Sequence, residues 1–232
     1  MEATIQAIAG LAASVGFIHT VTGPDHYIPF AMISKARQWT MFKTMMLVLI
    51  CGIGHVGSSV ILGFIGIATG IAVTKLEFIE GYRGSVAAWV LIVFGLIYGI
   101  WGLRKAFHKH QHVHEDHHHS HGIGSDHHHL PKPADGKKVS ITPWVLFIIF
   151  VLGPCEPLIP MLIYPAAVHG MGGAIYVSLV FGVTTIITMM VMAFLLLKGF
   201  EFLPMQKIHR YTHAIAGFTI LICGLSIEFL GL

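Results

Sequence analysis

The sequence predicts an all-α membrane protein: six transmembrane helices, arranged as two inverted three-helix repeats with a broken first helix in each half. Three observations predict it. The 232 residues are 55% hydrophobic and only 11% charged, with a mean hydropathy of +0.76; soluble domains carry roughly 25% charged residues. Six apolar stretches each approach or exceed the ~20 residues that a bilayer crossing needs. A shift of 130 residues lays one polar interruption, Gly23-Pro24-Asp25-His26, on another, Gly153-Pro154-Cys155-Glu156.

The first span is read over 3–33, interrupted at Gly23-Pro24. Proline lacks a backbone donor and clashes with the preceding turn, so the helix breaks there. The second runs over 42–73, long enough to tilt, and the third over 84–104. The fourth covers 142–166 and is interrupted at Gly153-Pro154 and again by Pro157 and Pro160. The fifth is 171–198 and the sixth 210–230. Residues 1–106 form the first repeat and 141–232 the second. The same shift pairs Gly52 with Gly182, His55 with Thr185 and Ser58 with Thr188; a shift of 129 pairs Gly95 with Gly224. Three spans per half is an odd number, so the second half inserts upside down. Broken helices that meet at the midplane across such repeats mark ion sites in secondary transporters.

Between the halves, residues 107–140 read as a solvated, disordered, His-rich loop, carrying eleven of the 17 histidines between His108 and His129. Such tracts chelate metals weakly at many sites, and a cytoplasmic metallochaperone is a fitting partner. Lysine and arginine concentrate in the first, third and fifth loops, so these are cytoplasmic and both termini lie outside. This ordering places Lys75, Glu77, Glu80 and Arg83 in the outer loop before the third span. The first span has neither a basic leader nor a cleavage site and is not read as a signal peptide. Cys51, Cys155 and Cys223 all lie in apolar stretches and give no disulfide framework.

An ionisable group at bilayer depth is costly and marks a functional site. His19 and His26 lie seven residues apart, about two helical turns. The break between them frees backbone carbonyls and lets Asp25 and His26 face a cavity. Imidazole and carboxylate together suit nickel, cobalt or zinc, not a magnesium or calcium cage. His55, inside Gly52-Ile53-Gly54-His55-Val56-Gly57-Ser58-Ser59, lines or completes the site. Glu156 is a ligand or a proton carrier, and Cys155 either a soft ligand or a small apolar filler. Thr184, Thr185 and Thr188 serve helix–helix hydrogen bonding or the permeation path. The predicted metal site is therefore His19, Asp25, His26, His55, Cys155 and Glu156.

His19 followed by Asp25-His26 resembles the histidine–aspartate–histidine signature of the nickel/cobalt transporters. The Gly-Pro-Asp-His form is similar to the UreH-like urease-accessory membrane proteins of the same superfamily. Gly54-His55 with Ser58-Ser59 is similar to that family's glycine-histidine-serine motif, and Gly153-Pro154-Cys155-Glu156 stands where it has a later acidic motif. The resemblance implies nickel or cobalt as the transported ion. In that family the acid follows the first histidine one residue sooner. A second resemblance runs from Gly153 to Pro160, which is similar to the proline–cysteine motif of thiol-electron carriers of the cytochrome c biogenesis and DsbD type. Those carry one cysteine in each half; here Asp25 occupies the matching position.

The function expected is transmembrane passage of a divalent transition-metal cation through a midplane His/Asp/Glu site, with the direction open. The alternatives are a thiol/electron carrier and an exporter of another divalent ion. Composition excludes a soluble enzyme. No catalytic residue, organic cofactor or nucleic-acid partner is expected. The partners are the metal ion, the cell-membrane bilayer and a second copy in a homo-oligomer.

Overall fold

The computed structural model describes residues 2–108, 141–202 and 209–231. Every regular element among the described residues is helical. Helix α1 (Glu2–Thr22) ends where Gly23 donates to the His19 carbonyl at 3.0 Å and Pro24 follows. A 3₁₀ turn at Pro24–His26 carries the chain into α2 (Ile28–Arg37), which has proline in its first turn, where a missing N–H costs nothing. Helix α3 (Met41–Thr69) is capped by the Thr40 hydroxyl, which accepts from the Lys43 N–H at 3.3 Å. It closes on Gly70 at φ 67°, with Ile71 N–H on the Gly66 carbonyl, the usual glycine C-cap. Helix α4 is Val73–His108, α5 is Ile141–Leu152, α6 is Leu158–Gly199 and α7 is Thr212–Leu230.

The six-span expectation is corrected. Among the described residues, five helices are long and apolar enough to cross a membrane, and α5 is a shorter apolar helix. Gly153-Pro154 stops α5 after 12 residues, and the chain that restarts at Leu158 runs on into the fifth predicted span. Gly170, at φ 70° and ψ −171°, divides α6 into two arms near the predicted boundary. The third span is also longer than its apolar core: α4 begins at Val73, so Glu77, Glu80 and Arg83 are helical rather than loop residues. The His-rich stretch beyond His108 lies outside the described residues.

The packing is reciprocal between halves. A Cβ on Gly52 of α3 would meet Ile186 of α6 at 3.3 Å, and one on Gly182 of α6 would meet Val56 of α3 at 2.9 Å. A shift of 130 converts the first contact into the second. Along α4 and α7, Gly95 lies on the backbone of Gly217 and Leu221, and Gly224 on Ala88 and Ile92; a shift of 129 exchanges these contacts too. Residue numbers rise along α4 as they fall along α7, so the two helices are antiparallel. Glycine is required along this seam because any side chain would strike the partner backbone; small residues are how membrane helices approach closely. Helix α1 packs on α6, and α5 on α3.

The distribution of polarity suits lipid. Ile53, Ile61, Ile97, Val183, Ile187 and Ile222 face outward, while His26, His55, Ser59, Glu80 and Thr185 are buried. One apolar cluster joins Phe30 and Ile33 of α2, Val48 and Cys51 of α3, Phe150 of α5, Met189 of α6 and Cys223 of α7. A second joins Ala12, Val56, Cys155, Leu158, Val177 and Phe181.

Candidate metal centre at the first helix break

Three imidazoles converge where α1 breaks against α3. His19 occupies the last turn of α1, His26 ends the 3₁₀ turn, and His55 comes from mid-α3. The His19 and His26 rings are 4.8 Å apart between centroids, and His26 and His55 are 5.0 Å apart, each pair edge-on. One nitrogen from each ring lies within 4.8 Å of the others.

The hydrogen bonds fix which nitrogen each ring offers. His26 Nδ1 faces the Gly23 carbonyl at 3.1 Å and Asp25 Oδ1 at 3.0 Å. Both can only accept, so Nδ1 carries the proton. His55 Nδ1 faces the Phe150 carbonyl at 3.2 Å and is a donor by the same logic. Each of these rings is thereby left with an Nε2 lone pair. The Nε2 atoms of His19, His26 and His55 are all buried without a hydrogen-bond partner among the described residues. Buried polar atoms are nearly always satisfied, so three such orphans on neighbouring rings call for an occupant. A histidine that donates through one nitrogen to a carboxylate or carbonyl, and offers the other, is the arrangement found behind metal ligands. His26 and His55 have this arrangement, and with His19 three imidazoles would leave a coordination position open.

The break itself provides these partners. The Gly23 carbonyl, free of a helical bond, accepts from both the N–H and the ring of His26. Glycine is needed there because a Cβ would sit 2.5 Å from His26 Nδ1. Asp25 is beside the ring cluster as the hydrogen-bond acceptor of His26 and also lines a cavity of about 460 Å³ with His19, His26 and Glu156.

The second break is built differently. Cys155 is fully buried in the second apolar cluster, and its N–H donates to Glu80 Oε2 at 3.1 Å. Glu156 is exposed at the cavity, apart from the three rings. Among the described residues, the histidine group is the set of His, Cys, Asp and Glu side chains placed to hold an ion, and it includes neither Cys155 nor Glu156.

Sequence reasoning missed the pair that holds this second break. Glu80, wholly buried, accepts from Arg83 and from Ser59 Oγ as well as from Cys155. Arg83 donates to Ser58 Oγ at 2.7 Å and to the Val151 carbonyl at 2.8 Å, in the last turn of α5. Glu80 thus receives a free N–H and Arg83 covers a free C=O, the two kinds of group that a break exposes. The signal was an acid and a base three residues apart beside an apolar run.

A family model described as the cytochrome C biogenesis protein transmembrane region matches residues 10–226. No curated protein and no solved structure matches. The resemblance to nickel/cobalt transporters and UreH-like proteins is corrected by this match: it rested on short motifs, whereas the matching family spans nearly the whole chain. Of the functions expected from sequence, the match favours the thiol/electron carrier over metal transport. The chain belongs to the cytochrome c biogenesis transmembrane-region family and is a multi-pass membrane protein.

Proposed function

We propose that this member of the cytochrome c biogenesis transmembrane-region family binds a divalent transition-metal cation between His19, His26 and His55 and passes it across the bilayer. One observation carries the reading: the buried imidazoles of His26 and His55 and the half-buried one of His19 each keep an Nε2 without a hydrogen-bond partner among the described residues, and one nitrogen of each ring lies within 4.8 Å of the others at a helix break. Imidazole suits the later first-row ions, and geometry rather than raw affinity selects among them. The reciprocal glycine contacts support two inverted repeats, which would swap access to a central site by rocking of one half against the other. On this reading the His-rich loop faces the cytoplasm and both termini lie outside.

The test is ion uptake by proteoliposomes holding a fluorescent metal indicator, over a panel of first-row divalent ions. The expected result is uptake of at least one ion by the wild type and its loss in His26→Ala and His55→Ala. Equal uptake by wild type and both variants, or none of any ion, overturns the proposal.

The family match favours a second reading, a transmembrane thiol/electron carrier. Such chemistry needs two sulfurs that exchange between thiol and disulfide. Cys51, Cys155 and Cys223 are all free, and Cys155 lies in a different apolar cluster from the other two. Cys155→Ser separates the readings: ion uptake survives it under the first, whereas electron transfer from a reduced donor on one side to an oxidised acceptor on the other is abolished under the second.

A further inference from the structure

The three-histidine site touches a cavity whose other walls no function has absorbed. It is lined by His19, Asp25, His26, Ser85, Glu156 and Glu228, with Gly81, Gly84 and Gly231 at its margin. These residues come from the start of α4, the second break and the end of α7, so the cavity reaches the histidines from the end of the molecule where α4 begins and α7 stops. Glu156 and Gly231, both exposed, stand on its open side.

Glu228 is the unexpected member. It lies in the last turn of α7, where the helix macrodipole disfavours a carboxylate. It is nonetheless held in place: Ser85 Oγ donates to it at 2.9 Å and Trp89 Nε1 at 3.1 Å. No Lys or Arg is among the cavity-lining residues. Three carboxylates therefore face one space without a lining basic side chain. At its inner end is His26, only 3% exposed, with Nε2 unpartnered and buried. A cleft lined by one sign of charge concentrates ions of the other, and acidic rings act as cation filters in channels.

We propose that this cavity is the entrance to the histidine site and that Glu228 and Glu156 form an outer station in it for a hydrated divalent cation. The inference rests on the metal-binding reading of the three histidines. A cation waits at the carboxylates with its water shell, exchanges water for imidazole as it passes Asp25, and comes to rest at the rings. Glu228 is fixed by Ser85 and Trp89 from α4, so the station is assembled across the α4–α7 seam.

Gly81 supplies the probe. A Cβ there would have Glu156 Oε1 at 3.8 Å as its near neighbour, ordinary contact, so Gly81→Cys fits and faces the cavity. In sealed vesicles, its reaction rates with a cationic and an anionic methanethiosulfonate of equal size are compared, with the native buried cysteines as the unreactive control. The expected result is a cationic preference of about tenfold or more, falling several-fold in Glu228→Gln and again in Glu156→Gln/Glu228→Gln. An unchanged preference in both variants, or no labelling at Gly81→Cys, overturns the station. Bound metal per chain, measured on the same proteins, separates this from the histidine reading. If the wild type retains no ion while the charge preference stands, the histidine site falls and the acidic entrance does not. If Glu228→Gln keeps the wild-type metal content but loads it several-fold more slowly, both stand.

Discussion

Removing the guanidinium that clamps the second break should cost more than any surface change. In Arg83→Met, Glu80 keeps Ser59 Oγ and the Cys155 N–H, each at 3.1 Å, but loses its cationic partner while wholly buried. Breaking a buried ion pair from one side costs about 3–5 kcal/mol. The Val151 carbonyl also loses its 2.8 Å donor, adding about 1 kcal/mol for an acceptor left short of a partner. Arg83 is 18% exposed at its side chain, so water softens the loss, and methionine restores some of the packing of the long stem. The expected cost is about 3–4 kcal/mol, toward the lower end of the buried-pair range. In Glu80→Gln/Arg83→Met the buried charge is gone, and the amide oxygen can still accept from Cys155; replacing both partners of a buried pair is often near neutral. That double variant should lie within about 2 kcal/mol of wild type. The assay is reversible unfolding from mild detergent into dodecyl sulfate, followed by helical circular dichroism, as a double-mutant cycle. A single variant costing under about 1 kcal/mol, or a double variant as unstable as the sum of the singles, would refute the clamp.

Further expectations bear on the site and the seam. Asp25→Asn keeps the shape but removes the charge behind His26 Nδ1, so retained metal should fall about 10- to 100-fold in affinity by equilibrium dialysis, as when other partners behind a ligand are removed. Because protons compete with metal for the same imidazole nitrogens, affinity should decline as pH is lowered, and binding in weak buffer should release protons. Gly217→Leu would drive a side chain into the Gly99 backbone, and Gly224→Leu into Ala88 and Ile92. Each should cost at least the 1–3 kcal/mol typical of overpacking, whereas Gly10→Ala, with nothing within 4 Å, should be neutral or slightly stabilising.

The two helix breaks were legible because a proline beside a glycine in an apolar run has few other readings. The convergence of His19 and His26 was legible as well, since both flank one break. A histidine inside the glycine-rich second span was expected to line the site; what sets His55 beside the other two rings is the α3–α5 packing, which places it under the Phe150 carbonyl. The count of spans was not legible. Gly153-Pro154 leaves α5 only 12 residues long, and the chain restarting at Leu158 runs through Pro165 before the non-helical Gly170 divides α6 into two arms. Glu80 and Arg83 were misplaced because a hydropathy window ends a span at its first charges. A buried pair within a helix looks the same to such a window as a loop, and only the free N–H of Cys155 and the free carbonyl of Val151 explain why the charges are inside. Glu228 was passed over for the same reason, as an acid close to the end of a span.

The two breaks share a pattern in sequence and differ in what satisfies them, and this difference assigns their roles. At the second break the exposed backbone is met by side chains from outside it: Glu80 takes the Cys155 N–H and Arg83 the Val151 carbonyl. Its polar groups are bound and its cysteine is sealed in apolar surroundings. At the first break the Gly23 carbonyl is met from within, by the ring and N–H of His26, one residue from Asp25. That ring is turned so that its other nitrogen has no partner among the described residues, and the same holds for His55 through the Phe150 carbonyl. A reciprocal scaffold thus presents one closed break and one with unspent coordinating capacity. The position matched to His55 in the second half is Thr185, whose buried hydroxyl is also unpartnered but offers no imidazole. On the proposed reading the imidazoles are therefore concentrated in the first half, which also supplies, through Glu80 and Arg83 of α4, the clamp that closes the break in the second.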